Sequence, residues 1–218
     1  KARLRKYKKQ FSRERKTELA DVVPKAYIEE VKIEDIYVCI DRFGYMKAMD
    51  EAAFVRASDE AKQEYPHIIK MKNTDKVCLF TDQGNMHQVR ADRIPKCKIK
   101  DKGALVHTLC KLSGDEEALL YIPFEDLFES MLLFTTKGGY IKLVSGAEFE
   151  TNRSQVAATK LEQGDEVSGV VSLTASDVLS GMKKVILITE KKLSLGFPLS
   201  EVSELKKTSR GLQKMRKG

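Results

Sequence analysis

The 218-residue chain contains no apolar run approaching the roughly 20 residues that a membrane-spanning helix requires. Its first residues, Lys1-Ala2-Arg3-Leu4-Arg5-Lys6, lead into no hydrophobic region of the signal-peptide kind. A cytoplasmic protein without membrane attachment is therefore the expectation. The four cysteines, Cys39, Cys78, Cys97 and Cys110, include no C-x-x-C pair, and Cys39 and Cys78 fall in apolar runs where a thiol behaves as a small hydrophobe. Free buried thiols are expected rather than disulfides or zinc. The three histidines, His67, His87 and His107, are far apart and lack a ligand-like spacing, so no metal site is expected. There is no G-x-x-x-x-G-K loop and no nucleophile with a credible base. The sequence thus offers neither catalytic residues nor a cofactor site.

What it does contain is a recurring hairpin. Val38-Cys39-Ile40-Asp41-Arg42-Phe43-Gly44-Tyr45-Met46-Lys47 is echoed by Leu79-Phe80-Thr81-Asp82-Gln83-Gly84 and by Phe134-Thr135-Thr136-Lys137-Gly138-Gly139-Tyr140-Ile141-Lys142. A worn copy runs Ile186-Leu187-Ile188-Thr189-Glu190-Lys191-Lys192. Each is a β-branched or aromatic run closed by a polar turn, the pattern of a β-hairpin. Taking Gly44, Gly84, Gly139 and Lys192 as equivalent gives spacings of 40, 55 and 53 residues. Periods of that size point to propeller blades or another array of sheet modules. Ten residues after each turn position stand Phe54, Ile94, Phe149 and Val202, all apolar. Three residues before it stand Asp41, Thr81, Thr136 and Thr189, short polar side chains suited to bonding turn backbone. A half-motif follows each hairpin, as in Lys70-Met71-Lys72-Asn73-Thr74-Asp75 and Lys160-Leu161-Glu162-Gln163-Gly164-Asp165. Its last copy, Lys214-Met215-Arg216-Lys217-Gly218, stops one residue early, so a piece of a longer polypeptide is expected.

The net charge of +7 is unevenly spread. Residues 1–18 hold nine Lys or Arg against two Glu, residues 206–218 hold six against none, and the stretch between has 24 basic and 30 acidic residues. Bulk attraction therefore cannot bind a polyanion, and any nucleic-acid site must come from local segregation. The clearest case is Arg90, Arg93, Lys96, Lys98, Lys100 and Lys102, opposed there only by Asp92 and Asp101. If extended, the lysines spaced by two would point one way and suit a phosphate backbone. The same row fits an edge strand protected by lysines, and both readings stay open. Before the repeats, Leu4 to Ala20 has the pattern of a polar helix with a thin stripe of Leu4, Tyr7, Phe11 and Leu19, ahead of Pro24.

Taken in order, these motifs resemble the C-terminal domain of the A subunit of bacterial type IIA topoisomerases, DNA gyrase and topoisomerase IV. The likeness rests on Asp41 to Lys47, on Leu79 to Gly84 ending at Arg93-Ile94-Pro95, and on Thr136 to Lys142 with Glu148-Phe149. Phe11-Ser12-Arg13-Glu14-Arg15-Lys16-Thr17-Glu18-Leu19 is similar to the stretch in which that subunit leaves its coiled coil. The resemblance implies an all-β fold, a propeller-like β-pinwheel of repeated four-stranded blades preceded by a short N-terminal helix. Residues 1–22 would be the connector and residues 23–218 a DNA-binding pinwheel with about four recognisable blades, cut short at its C-terminus.

The implied function is sequence-independent binding and bending of double-stranded DNA along the rim, supporting ATP-dependent topology change by a parent enzyme of the bacterial cytoplasm and nucleoid. The implied partners are the ATPase B subunit of a heterotetramer and the remainder of the A subunit. Catalytic groups, ATP and magnesium would lie outside this fragment. Candidate DNA contacts are Arg42, Lys47, Arg56, Arg90, Arg93, Lys96, Lys98, Lys100, Lys102, Lys137, Lys142, Arg153, Arg210 and Lys214. Gyrase A subunits carry a Gly-rich basic box after the first hairpin, whereas Phe54 to Tyr65 here has no Gly and three acids. That departure favours a topoisomerase IV-like parent; Ser209-Arg210-Gly211-Leu212-Gln213-Lys214 echoes the box only faintly and in a later repeat. The alternative is a protein-interaction propeller whose lysines serve solubility, distinguished by whether the basic residues gather on one rim.

Overall fold

Each hairpin is closed by the side chain that the repeat places three residues before its turn. In the computed structural model, which describes residues 1–13 and 32–215, the Asp41 carboxylate accepts from the amides of Phe43 and Tyr45 at 2.8 and 2.9 Å. Thr81, Thr136 and Thr189 accept in the same way from the amides of Asn85, Tyr140 and Leu193 at 3.3, 3.3 and 3.1 Å. The following turn residue takes positive φ, +80° at Gly44, and Lys192 adopts 63° in the fourth copy. A lysine there costs about 1 to 2 kcal/mol that glycine avoids.

Fourteen strands follow in the described residues: β1 (Asp35–Ile40), β2 (Tyr45–Asp50), β3 (His67–Lys72), β4 (Lys76–Thr81), β5 (Asn85–Arg90), β6 (Ala104–Leu105), β7 (Ala118–Pro123), β8 (Met131–Thr136), β9 (Tyr140–Ser145), β10 (Gln155–Ala157), β11 (Val167–Leu173), β12 (Lys184–Ile188), β13 (Ser194–Pro198) and β14 (Leu212–Gln213). They form three four-stranded sheets, β3-β1-β2-β6, β10-β5-β4-β7 and β11-β8-β9-β14, and a two-stranded one, β12-β13. The pairings are antiparallel throughout, and the outer strand beside the second hairpin strand always comes from later in the chain. Thus β6 leaves the second repeat to complete the first sheet, β10 leaves the third to complete the second, and β14 leaves the fourth to complete the third. Successive sheets are laced together by exchanged strands.

Alternation along the hairpin strands supplies the cores between sheets. Val38 and Ile40 pack with Val77 and Leu79; Cys78 and Phe80 pack with Leu132, Phe134 and Phe149; Leu133 and Leu143 pack with Val185, Phe197 and Val202. One face of the second and third sheets therefore serves the preceding sheet and the other the following one. Each hairpin runs into a short helical turn, Glu51–Arg56, Ala91–Arg93, Gly146–Phe149 or Leu199–Glu201, which contains or immediately precedes the expected Phe54, Ile94, Phe149 and Val202, all buried. Phe149 stands edge-on to Phe80 with centroids 5.1 Å apart.

The first repeat differs because no exchanged strand leaves it. Two short helices, α2 (Glu51–Arg56) and α3 (Ser58–Glu64), take that place and pack Phe54, Ala61 and the adjacent Tyr65 on Cys39 and Met49. This is the segment whose sequence departs from the Gly-rich basic box. A further short helix spans Phe124–Glu129.

Residues Lys1–Lys32 form a separate unit from Ile33–Gly218. Within the first lies the helix α1 (Ala2–Phe11), with Leu4, Tyr7 and Phe11 exposed. The expected extension of this helix to Ala20 and the boundary at residue 22 fall outside the described residues. No helix among the described residues is long and apolar enough to cross a membrane.

Candidate nucleic-acid interface

The exchanged strands bring cations to one edge of each sheet. Before entering β6 the chain crosses Arg93 to Gly103, before β10 it crosses Glu150 to Ser154, and before β14 it crosses Glu204 to Gly211. The first and third of these loops are built alike. Ala48 bridges Lys96 and Leu143 bridges Glu204 in parallel. The Asp101 amide then donates to the Lys98 carbonyl at 3.1 Å, and the Ser209 amide to the Lys206 carbonyl at 3.0 Å. A positive-φ glycine, Gly103 or Gly211, delivers the chain into the strand. Lys102 lies 5.9 Å over the Tyr45 ring and Arg210 lies 5.7 Å over the equivalent Tyr140 ring.

Arg93, Lys98, Lys100 and Lys102 are exposed in the first loop, Arg153 in the second and Lys206 in the third, and none forms an ion pair among the described residues. This is local segregation of the kind a net acidic middle requires. Lys206 is absent from the sequence-based set. Aligning Gly103 with Gly211 pairs Lys98 with Lys206 and Lys102 with Arg210, a signal the hairpin register alone does not supply.

Several expected contacts are placed differently. Lys47 and Lys142 are 0% and 1% exposed, so neither can reach phosphate, a correction to their expected role on the rim. Both sit at an inward position of the alternation, and their ammonium groups are saturated by main-chain carbonyls of the loops. The lysine row is not an extended strand either. The turn from Lys98 to Asp101, with the Lys98 amide bonded to the Asp101 carboxylate at 3.0 Å, breaks the period of two. Arg90, Lys96, Lys137, Arg210 and Lys214 are neutralised by Asp92, Asp50, Glu166, Glu162 and Glu201. Arg42 and Lys137 stand at hairpin turns and Arg56 on α2.

The buried Glu116 is held by its own cluster of side chains. Burial alone would raise the Glu116 carboxyl, but bonds from Thr81, Asn85 and His87 at 2.5, 2.9 and 3.1 Å outweigh it and hold the group below its ordinary range. Burial pushes the thiols of Cys39, Cys78 and Cys110 up to about 11, 12 and 12, and with them any thiolate reactivity falls. Among the described residues no three His, Cys, Asp or Glu side chains converge as metal ligands.

The fold and its edge define a class: a strand-exchanged array of antiparallel sheets carrying a basic edge. A family model described as the DNA gyrase C-terminal domain, beta-propeller, matches residues 130–174 and 183–218. The A subunit of DNA gyrase from Helicobacter pylori is 28% identical over 94% of this chain and 26% of its own length. The A subunit of DNA topoisomerase 4 from Bacillus subtilis is 26% identical over 81% of this chain and 23% of its own. The crystal structure of the C-terminal domain of DNA topoisomerase IV superposes with a TM-score of 0.75 at 25% identity, covering 86% of this chain and 59% of that one. The DNA gyrase A C-terminal domain gives 0.52 at 20% identity, covering 84% and 61%. The chain spans about a quarter of the length of the curated relatives it matches. These likenesses are to type IIA topoisomerase A subunits and to their C-terminal domains, and they divide between gyrase and topoisomerase IV.

Proposed function

We propose that the unit from Ile33 onward binds duplex DNA without sequence preference along the exchange-loop edge and bends it, as a non-catalytic domain of a type IIA topoisomerase. The observation that carries this reading is the recurrence of unpaired cations, Lys98, Lys100 and Lys102, then Arg153, then Lys206, on the same edge of successive sheets. Phosphates following that edge would exchange condensed counterions for fixed cations, and bending a site of a few turns costs on the order of 1 to 6 kcal/mol, which several such contacts can offset. In the parent enzyme the domain would present a DNA segment to the gate. Its partners there, in the bacterial cytoplasm, would be the ATPase-bearing B subunit of the heterotetramer together with the rest of the A subunit. ATP and magnesium would act there and not on this fragment.

The reading favours topoisomerase IV over gyrase as the parent. Two short helices without glycine, the second of them acidic, stand where a basic box would be, and the topoisomerase IV domain superposes with the higher TM-score. Binding the chain to nicked plasmid, ligating and counting topoisomers tests both levels. Salt-sensitive binding with little shift in linking number is the expected result. A large handed shift would place the domain with gyrase, and no binding at low salt would favour the protein-interaction alternative.

A further inference from the structure

Lys47 and Lys142 are among the largest fully buried side chains, and among the described residues neither pairs with a carboxylate. Each ammonium instead draws in carbonyls of an exchange loop. Lys47 donates to Lys98 at 3.1 Å, to Asp101 at 2.9 Å and to Ile99, and also to the Tyr65 hydroxyl at 2.7 Å. Lys142 donates to Lys206, Lys207 and Ser209 at 3.3, 3.1 and 2.8 Å. The two carbonyl sets occupy equivalent loop positions, counted back from Gly103 and Gly211. The same hairpin position holds His87 in the second repeat, where the loop carbonyl of Thr151 is bonded by Lys76 and Gln88 instead. It holds Leu195 in the fourth, whose sheet has no exchanged strand among the described residues.

A buried lysine thus occurs where a loop arrives with three carbonyls turned inward. Burying an ammonium is expensive unless its donors are satisfied, so the residue is poorly explained as filler. With three peptide planes fixed from inside, the loop backbone is over-determined and its side chains are held outward. The buried charge also adds to the positive potential at the edge.

We propose that Lys47 and Lys142 are positioning residues for DNA binding, each fastening an exchange loop in the conformation that presents its cations to phosphate. This rests on the DNA reading above. The test uses the whole chain with Lys142→Met, the loop variant Lys206→Gln, and their combination. Amide exchange over residues 204–213 is read without DNA, and affinity is read with a short random-sequence duplex.

Lys142→Met is expected to unfold cooperatively, to exchange the loop and β14 amides faster, and to bind DNA about tenfold more weakly with a shallower salt dependence. In the loop-variant background the same substitution is expected to change DNA affinity no further. An equal loss in both backgrounds would overturn the proposal, since the effect would then be global; so would unchanged amide exchange. If Lys142→Met does not fold, Lys142→Arg serves, because a planar fork cannot donate to three carbonyls from one point and should also speed exchange. Failure of the DNA reading is separable: the unaltered chain would bind no duplex, while faster exchange in the variant would still report the latch.

Discussion

The Lys47 ammonium and the Tyr65 hydroxyl lie 2.7 Å apart in the interior, joining the second strand of the first hairpin to the end of α3. Tyr65 in turn donates to the Ile99 carbonyl at 3.2 Å. Tyr65→Phe keeps the ring among Cys39, Met49 and Phe54 but removes one of the ammonium's partners. The expected loss is about 1 to 2 kcal/mol in urea unfolding. A loss near zero would show that water replaces the hydroxyl.

Lys142 predicts an alkaline gain in stability. Burial lowers its pKa from 10.5 to about 8, with Glu148 opposing the shift. Between these values the unfolded chain holds a proton that the folded chain has released, so unfolding free energy rises with pH across that window. Comparing the chain with Lys142→Met at intervals from pH 7.5 to 10 should show a gain of at most about 3 kcal/mol that the variant lacks. Parallel pH profiles for the two proteins would contradict the assignment.

Glu116 predicts the opposite limb. Its carboxyl is held low despite burial by the donors of Thr81, Asn85 and His87, so its contribution is present above its ordinary value of 4.5 and is lost as pH falls through the lower folded value. Glu116→Gln should lose about 2 kcal/mol near neutrality, because Thr81, Asn85 and His87 all bond one carboxylate oxygen and the Ser113 amide bonds the other, so an amide nitrogen faces a donor whichever way it turns. That difference should narrow on acidification, which acid titration of both proteins by circular dichroism would measure.

Two glycines of nearly equal φ should respond unequally. At Gly44, with φ of +80°, an added Cβ would meet nothing within 4 Å, whereas a Cβ at Gly103, at +82°, would stand 2.4 Å from the Met46 carbonyl oxygen. Gly44→Ala should therefore cost about 1 kcal/mol from left-handed strain alone. Gly103→Ala should cost more and detach β6, raising amide exchange at Ala104 and Leu105. Equal effects would show that backbone strain, and not the close approach of strands, governs the exchanged strand.

Much of the architecture was legible because its determinants are local. Asp41, Thr81, Thr136 and Thr189 close turns within four residues of themselves, and Phe54, Ile94, Phe149 and Val202 hold one register in each repeat. The site was less legible, since burial and pairing are set by distant segments. Nothing near Lys142 in sequence announces carbonyls more than sixty residues away, and a lysine in an alternating strand is ordinarily taken as outward. The turn at Lys98 to Asp101 was hidden by a regular spacing of lysines. Lys206 was missed because its equivalence to Lys98 follows the exchanged strands and not the hairpins.

The most direct test is the salt dependence of duplex binding by the chain and by Lys98→Gln/Lys100→Gln/Lys102→Gln, with Lys62→Gln on α3 as a control. The account predicts linear log–log salt dependence, weaker binding by the triple variant with a slope shallower by up to about 0.9 per lost contact, and no change in the control. A slope unaltered by the triple variant, or no binding by the unaltered chain at low salt, would contradict it.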